Sequence, residues 1–142
     1  MAKVGRASRN ASHLRVETIS ADKTIESAET GETYFIDASS AGNFTITLPT
    51  AKAGYYFTFV FVAASNAAAE VLIDAGSGST IKGNTIVQAA GGSDTKAAHS
   101  NQKLGFADAT ILGSGVSLIC DGTDWFIVGN AIGSATFVTA FS

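Results

Sequence analysis

Gly54-Tyr55-Tyr56-Phe57-Thr58-Phe59-Val60-Phe61-Val62 decides the fold class. At a two-residue period Tyr55, Phe57, Phe59 and Phe61 fall on one side and Tyr56, Thr58, Val60 and Val62 on the other. That is the signature of an extended strand rather than a helix. Aromatic and β-branched residues fill all eight positions after Gly54, and both sides are apolar enough to require cover.

Working outward, similar alternation recurs at short intervals, interrupted by Gly, Ser, Asn and Asp. Upstream, Leu14-Arg15-Val16-Glu17-Thr18-Ile19 reads as a strand with Leu14, Val16 and Thr18 on one side, and a short one follows at 23–26. Thr33-Tyr34-Phe35-Ile36-Asp37 and Phe44-Thr45-Ile46-Thr47-Leu48 flank a Ser-Ser-Ala-Gly-Asn connection, which suits a hairpin with a longer loop. Pro49 lacks a backbone donor and ends the second of these strands.

Downstream, residues 65–69 suit one helical turn, Val71-Leu72-Ile73-Asp74 reads as a strand, and Gly76-Ser77-Gly78-Ser79 as a turn. Short strands are expected at 80–82 and 85–88 around Gly83-Asn84. Residues 89–102 carry no period and are expected to form a long exposed loop. Val116-Ser117-Leu118-Ile119-Cys120 and Trp125-Phe126-Ile127-Val128 bracket Asp121-Gly122-Thr123-Asp124, a hairpin signal with Gly supplying positive φ. Ala135-Thr136-Phe137-Val138-Thr139-Ala140-Phe141 closes the chain as a β-prone tail. The expected fold is all-β: an antiparallel β-sandwich or jelly-roll-like single domain over 16–142, with a C-terminal strand at 135–141 and an extended N-terminal arm over 1–15.

The 142 residues suit one domain, and 46% hydrophobic with 15% charged residues disfavours disorder. Cys120 is the only cysteine, which excludes an intrachain disulfide and a Cys-based zinc site within one chain. No stretch reads as a transmembrane helix, and the start lacks the apolar run of about 7–15 residues of a secretory signal, so assembly in a cytoplasm is expected. Lys3, Arg6, Arg9 and Arg15 precede the first acid, Glu17. The arm is therefore +4, and five basic against twelve acidic residues leave the remainder at −7.

Few motifs point to reaction chemistry. Asp121 and Asp124 offer carboxylates at i and i+3, but too few oxygens for a calcium loop, and Asp-Gly is ordinary turn chemistry. His13 and His99 stand beside no nucleophile arrangement. The Gly76-Ser77-Gly78-Ser79 run lacks the Gly-Lys-Ser/Thr ending and the following helix of a phosphate loop. Cys120 alternates with Leu118 and Val116 and so faces packing. Asn10-Ala11-Ser12 and Asn43-Phe44-Thr45 match a glycosylation pattern by chance in a chain without a signal. The acids are scattered rather than paired at catalytic spacing, so neither enzyme activity nor a metal or cofactor is expected.

The arm has no interleaved aromatics and precedes an acidic domain, which favours an acidic protein surface over nucleic acid as its partner. The tail has two open readings. Phe137, Val138 and Phe141 either complete their own sheet or exchange with a neighbouring subunit.

Phe44-Thr45-Ile46-Thr47-Leu48-Pro49, then Ala53-Gly54-Tyr55-Tyr56-Phe57-Thr58-Phe59, then Leu118-Ile119-Cys120-Asp121-Gly122-Thr123-Asp124-Trp125-Phe126-Ile127 resemble a pattern of bacteriophage virion proteins. The likeness spans roughly residues 20–130. With the arm Lys3-Val4-Gly5-Arg6-Ala7-Ser8-Arg9-Asn10-Ala11, the chain looks like the small capsid decoration (cement) proteins of marine-type tailed phages. The resemblance implies a homotrimer on the outer capsid surface of the virion, and the arm's charge then makes Lys3, Arg6, Arg9 and Arg15 the expected contacts to the major capsid protein, with no nucleic acid and no membrane as partner. The alternative is a head-fibre or tail-fibre tip that binds a receptor or glycan, with Tyr34, Tyr55, Tyr56 or Trp125 as stacking surfaces.

Overall fold

A computed structural model describes residues 14–40, 42–65, 69–89, 91–107, 110–133 and 137–141. Lys3, Arg6, Arg9 and His13 lie outside these, as does the centre of the turn expected at 65–69. The strands are β1 (Val16–Ile19), β2 (Lys23–Thr24), β3 (Thr33–Asp37), β4 (Phe44–Thr47), β5 (Tyr56–Ala63) and β6 (Val71–Asp74). They continue with β7 (Ile81–Val87), β8 (Thr95–Asn101), β9 (Lys103–Phe106), β10 (Gly115–Cys120), β11 (Trp125–Gly133) and β12 (Phe137–Val138). The one helical element described is a 3-10 turn at Ser27–Glu29.

Two sheets pack face to face as an all-β sandwich forming a single domain. The seven-stranded sheet runs β1-β3-β5-β10-β11-β7-β8, and the five-stranded sheet β12-β9-β6-β4-β2. The first seven strands alternate strictly between the two sheets. Among the first six of them, next-but-one strands are in-sheet neighbours and run in the same direction. Hence β1/β3, β3/β5, β2/β4 and β4/β6 are parallel. The pairs β5/β10, β10/β11, β7/β8, β6/β9 and β9/β12 are antiparallel, so both sheets are mixed.

The expected hairpin between 33–37 and 44–48 is accordingly corrected: β3 and β4 lie in opposite sheets. Residues 89–102 are not one loop, because Thr95–Asn101 pairs with β7 along its length. Only His99 of that edge strand is buried, which is why no alternation marks it. The two short strands around Gly83 are one strand, Ile81–Val87. Gly83 adopts φ 146°, and a Cβ there would stand 2.7 Å from Cβ of Ile127. Near the arm, Leu14 and Val16 are exposed, and Ile19 is the side chain that β1 buries.

Of the two sides of β5 expected to need cover, one supplies the centre of the core and the other faces outward. Phe57, Phe59 and Phe61 are fully buried. Tyr34 stacks on Phe59 at 5.5 Å, Phe57 meets Trp125 at 5.7 Å, and Phe61 meets Phe106 at 5.1 Å. Phe106 in turn holds the ring of Phe137 at 5.1 Å. Aromatic side chains bury the most area per residue, and tilted or offset contacts at these distances are favourable beyond that burial.

Candidate functional site

At the root of the arm, β1 is the outermost strand of the seven-stranded sheet. The carbonyl of Arg15 accepts the Thr33 N–H at 2.9 Å, and its guanidinium pairs with the Glu32 carboxylate at 2.9 Å. The Arg15 side chain remains 69% exposed, whereas that of Glu32 is 11% exposed. Arg15 therefore fastens the arm's root to the domain; Lys3, Arg6 and Arg9 lie outside the described residues.

Beside this root, carboxylate oxygens of Glu17, Glu29 and Glu32 lie within 4.8 Å of one another. Their cation is the chain's own: the Lys23 ammonium lies 3.0 Å from both Glu17 and Glu29 and 5.5 Å above the Tyr34 ring. Burial alone would lower the Lys23 pKa, but the hydrogen bonds to Glu17 and Glu29 outweigh it and hold the ammonium above its ordinary value. The Tyr34 hydroxyl is buried beneath this group and meets no partner with hydrogen-bond geometry. Burial, and then the nearby Glu29 and Glu32 charges, push its pKa up.

The hairpin of β10 and β11 pairs as the sequence predicts, Cys120 opposite Trp125. Asp121 accepts the N–H groups of Thr123 and Asp124 at 2.8 and 2.9 Å, and Gly122 takes φ 111°. Asp124 reaches away from the turn to the start of β7, accepting Thr80 N–H at 2.9 Å, Thr80 O–H at 2.8 Å and the Lys82 ammonium. These carboxylates fix the turn and its parallel neighbour.

The Lys82 bond first, then the two Thr80 bonds, lower the Asp124 pKa from 3.8 to about 2. A carboxyl whose pKa is depressed by folding stabilises the fold above its unfolded value and loses that contribution as pH falls through the folded value. Asp124→Asn is expected to lower Tm by a few degrees at pH 7. The gap from the parent should close as pH drops from about 4 to about 2, as followed by circular dichroism; a gap independent of pH would show that the charge is not what matters.

His99 is 7% exposed, with Nε2 3.1 Å from the Lys103 carbonyl, and burial lowers its pKa despite that bond. Cys120 is buried, and the Gly122 N–H points to its sulfur at 3.3 Å. Of the four candidate stacking rings, Tyr34 and Trp125 are both 0% exposed and can stack on no ligand. Tyr55 is half-buried, with Lys52 5.9 Å above its ring, and Tyr56 is exposed. The sequence placed Tyr34 and Trp125 on strands, and only packing shows that they point inward.

At the C-terminus, Phe137 and Val138 pair with Phe106 and Gly105 of their own chain, so β12 completes its own sheet. Val138 Cγ2 would stand 2.6 Å from a Cβ on Gly105, and Leu72 closer still, so the two side chains converge where Gly105 has none. Phe141 is exposed and borders a shallow depression with Asp22, Thr45 and Thr47, on the far side of the same sheet.

Of the outward face of the seven-stranded sheet, the sequence-based candidates include Tyr56 alone. Tyr56 and Val62 of β5, Ile119 of β10, and Phe126, Val128 and Ile132 of β11 are all exposed there. The signal was available, since β5 is apolar on both sides.

No protein-family model matches the chain, and no curated protein matches it.

Proposed function

We propose that this chain is a structural virion protein that binds the outer surface of a phage capsid and stabilises it, acting without catalysis. The observation that carries the reading is at the arm's root: residues 1–15 carry +4 ahead of an otherwise acidic chain, and Arg15, beside the edge strand β1, pairs with Glu32. Lys3, Arg6 and Arg9 then reach acidic groups of the major capsid protein while the sandwich stands outward. The copies act together as a homo-oligomer.

Each exposed ion pair contributes at most about 1 kcal/mol, so one arm is a weak anchor. Several arms joined in one oligomer bind by avidity. A protein that binds the assembled shell and not its dissociated subunits stabilises the shell by linkage.

Deleting residues 2–12 is expected to abolish co-sedimentation with empty capsids of the parent particle at moderate salt while leaving the circular dichroism spectrum intact. Unchanged binding would remove the arm from the mechanism. Full-length protein that bound host cells and not capsids would move the function to a fibre tip, for which Tyr56 is the exposed ring.

A further inference from the structure

We infer that the outward face of the seven-stranded sheet is a two-fold contact surface for a second copy of this chain. Its three central strands, β5, β10 and β11, present Tyr56, Thr58, Val60, Val62, Gly115, Ser117, Ile119, Phe126, Val128, Asn130 and Ile132, and no charged residue. The exposed apolar members lie on adjacent strands and form one patch, which is a mark of an interaction surface.

Two of the polar groups within the patch already suit burial. Thr58 Oγ1 and Ser117 Oγ lie 3.0 Å apart and hydrogen-bond each other, so covering them would orphan neither. Gly115 leaves a dimple bordered by Val60, Ser117, Val128 and Ile132, a recess for an apolar side chain from the opposing face.

Charge selects the occupant. Two-fold pairing brings like residues near like, which a charged face resists through like-charge repulsion and an uncharged face does not. The charges that do lie on this side sit on flanking strands: Asp37 at the end of β3, Lys96 on edge strand β8, and Lys82, which is neutralised by Asp124. The arm is a poor cover, because residues 1–13 carry Lys3, Arg6 and Arg9 among mostly small and polar residues.

Size fits as well. With strands about 4.8 Å apart and about 3.3 Å per residue, the whole seven-stranded face, the flanking strands with Asp37, Lys82 and Lys96 included, offers roughly 29 by 20 Å, on the order of 600 Å² in projection. Side-chain relief raises the accessible area toward the ~800 Å² per partner of a standard interface. Two sheets meeting this way reproduce sandwich packing between molecules, about 10 Å apart.

The inference does not rest on capsid binding, and it gives two copies where the resemblance implies three. In sedimentation equilibrium the full chain is expected to be a dimer that dissociates on dilution, with little change between low and high salt. Ile119→Lys/Val128→Lys should weaken it at least ~100-fold. Leu112→Lys, at a loop residue just as exposed, should leave it unchanged.

Nitration of Tyr56 in the unsubstituted protein gives a readout that no misfolded variant can confuse: it should be suppressed at dimer concentrations and recover on dilution. A parent chain that stays monomeric, forms a trimer, or dimerises with Tyr56 still reactive would overturn the inference, as would a dimer that survives the double substitution. Tyr56 protected only on capsids would give the face to the shell instead. A salt-insensitive dimer that ignores capsids would uphold this inference and defeat the capsid reading.

Discussion

Gly115→Ala is expected to destabilise the protein by at least about 3 kcal/mol, toward and beyond the upper end of ordinary overpacking penalties. A Cβ at position 115 would overlap the Phe59 carbonyl oxygen and stand 3.2 Å from Cα of Val60. Both are backbone atoms of β5, the strand that carries Phe57, Phe59 and Phe61 into the core. A flexible side chain could swing aside, but a strand paired on both edges cannot move without disturbing β3 and β10.

Against a typical domain stability of about 5–15 kcal/mol, such a loss takes a large share. For a chain of this size it should lower Tm by roughly 10 °C. Gly42→Ala is the control, since a Cβ there meets nothing within 4 Å. Its effect should stay within about 0.5 kcal/mol. Urea denaturation of the two variants beside the parent would decide, and equal midpoints for both would refute the steric account of Gly115.

Trp125→Ala should cost about 3–5 kcal/mol, the range for emptying the site of a large buried ring. Trp125 is 0% exposed, packs on Phe57, and begins β11, where its N–H donates to Thr80 O at 2.9 Å. Truncation leaves a cavity between the hairpin and β7 that paired strands cannot collapse into.

Trp125→Phe should cost distinctly less than alanine, for two reasons. A six-membered ring refills most of the space, and the change also removes an indole Nε1–H that is buried without a hydrogen-bond partner. A buried unpaired donor carries a desolvation cost of about 1–3 kcal/mol, which the phenylalanine does not incur. Denaturation followed by circular dichroism is the suitable measurement, because Trp125 is the only tryptophan and its fluorescence goes with it. Equal losses for the two variants would contradict this division.

The hairpin of β10 and β11 was legible because turn and strands are contiguous: Asp121-Gly122-Thr123-Asp124 carries its own turn chemistry and brings its two flanks together. The division of β5 into two sides was equally plain, but not which side faces in. Strand β8 was not legible, since an edge strand with one neighbour buries only His99 and has no pattern to display. The candidate contacts divide in the same way. Lys3, Arg6 and Arg9 are charges any reader can count, whereas the Arg15–Glu32 pair needs β1 to lie beside β3.

By itself the sequence determined that the chain is all-β, how the residues of β5 divide between two sides, where the last hairpin turns, and that a basic arm precedes an acidic domain. Only the tertiary structure decided that the first seven strands alternate between layers, that Tyr34 and Trp125 are buried, that β12 closes its own sheet, and that one face of β5 is left open. The reason is that two-residue alternation is a local property of the pleated backbone. The choice of partner strand is settled by side chains distant in sequence, whose packing no single segment can announce.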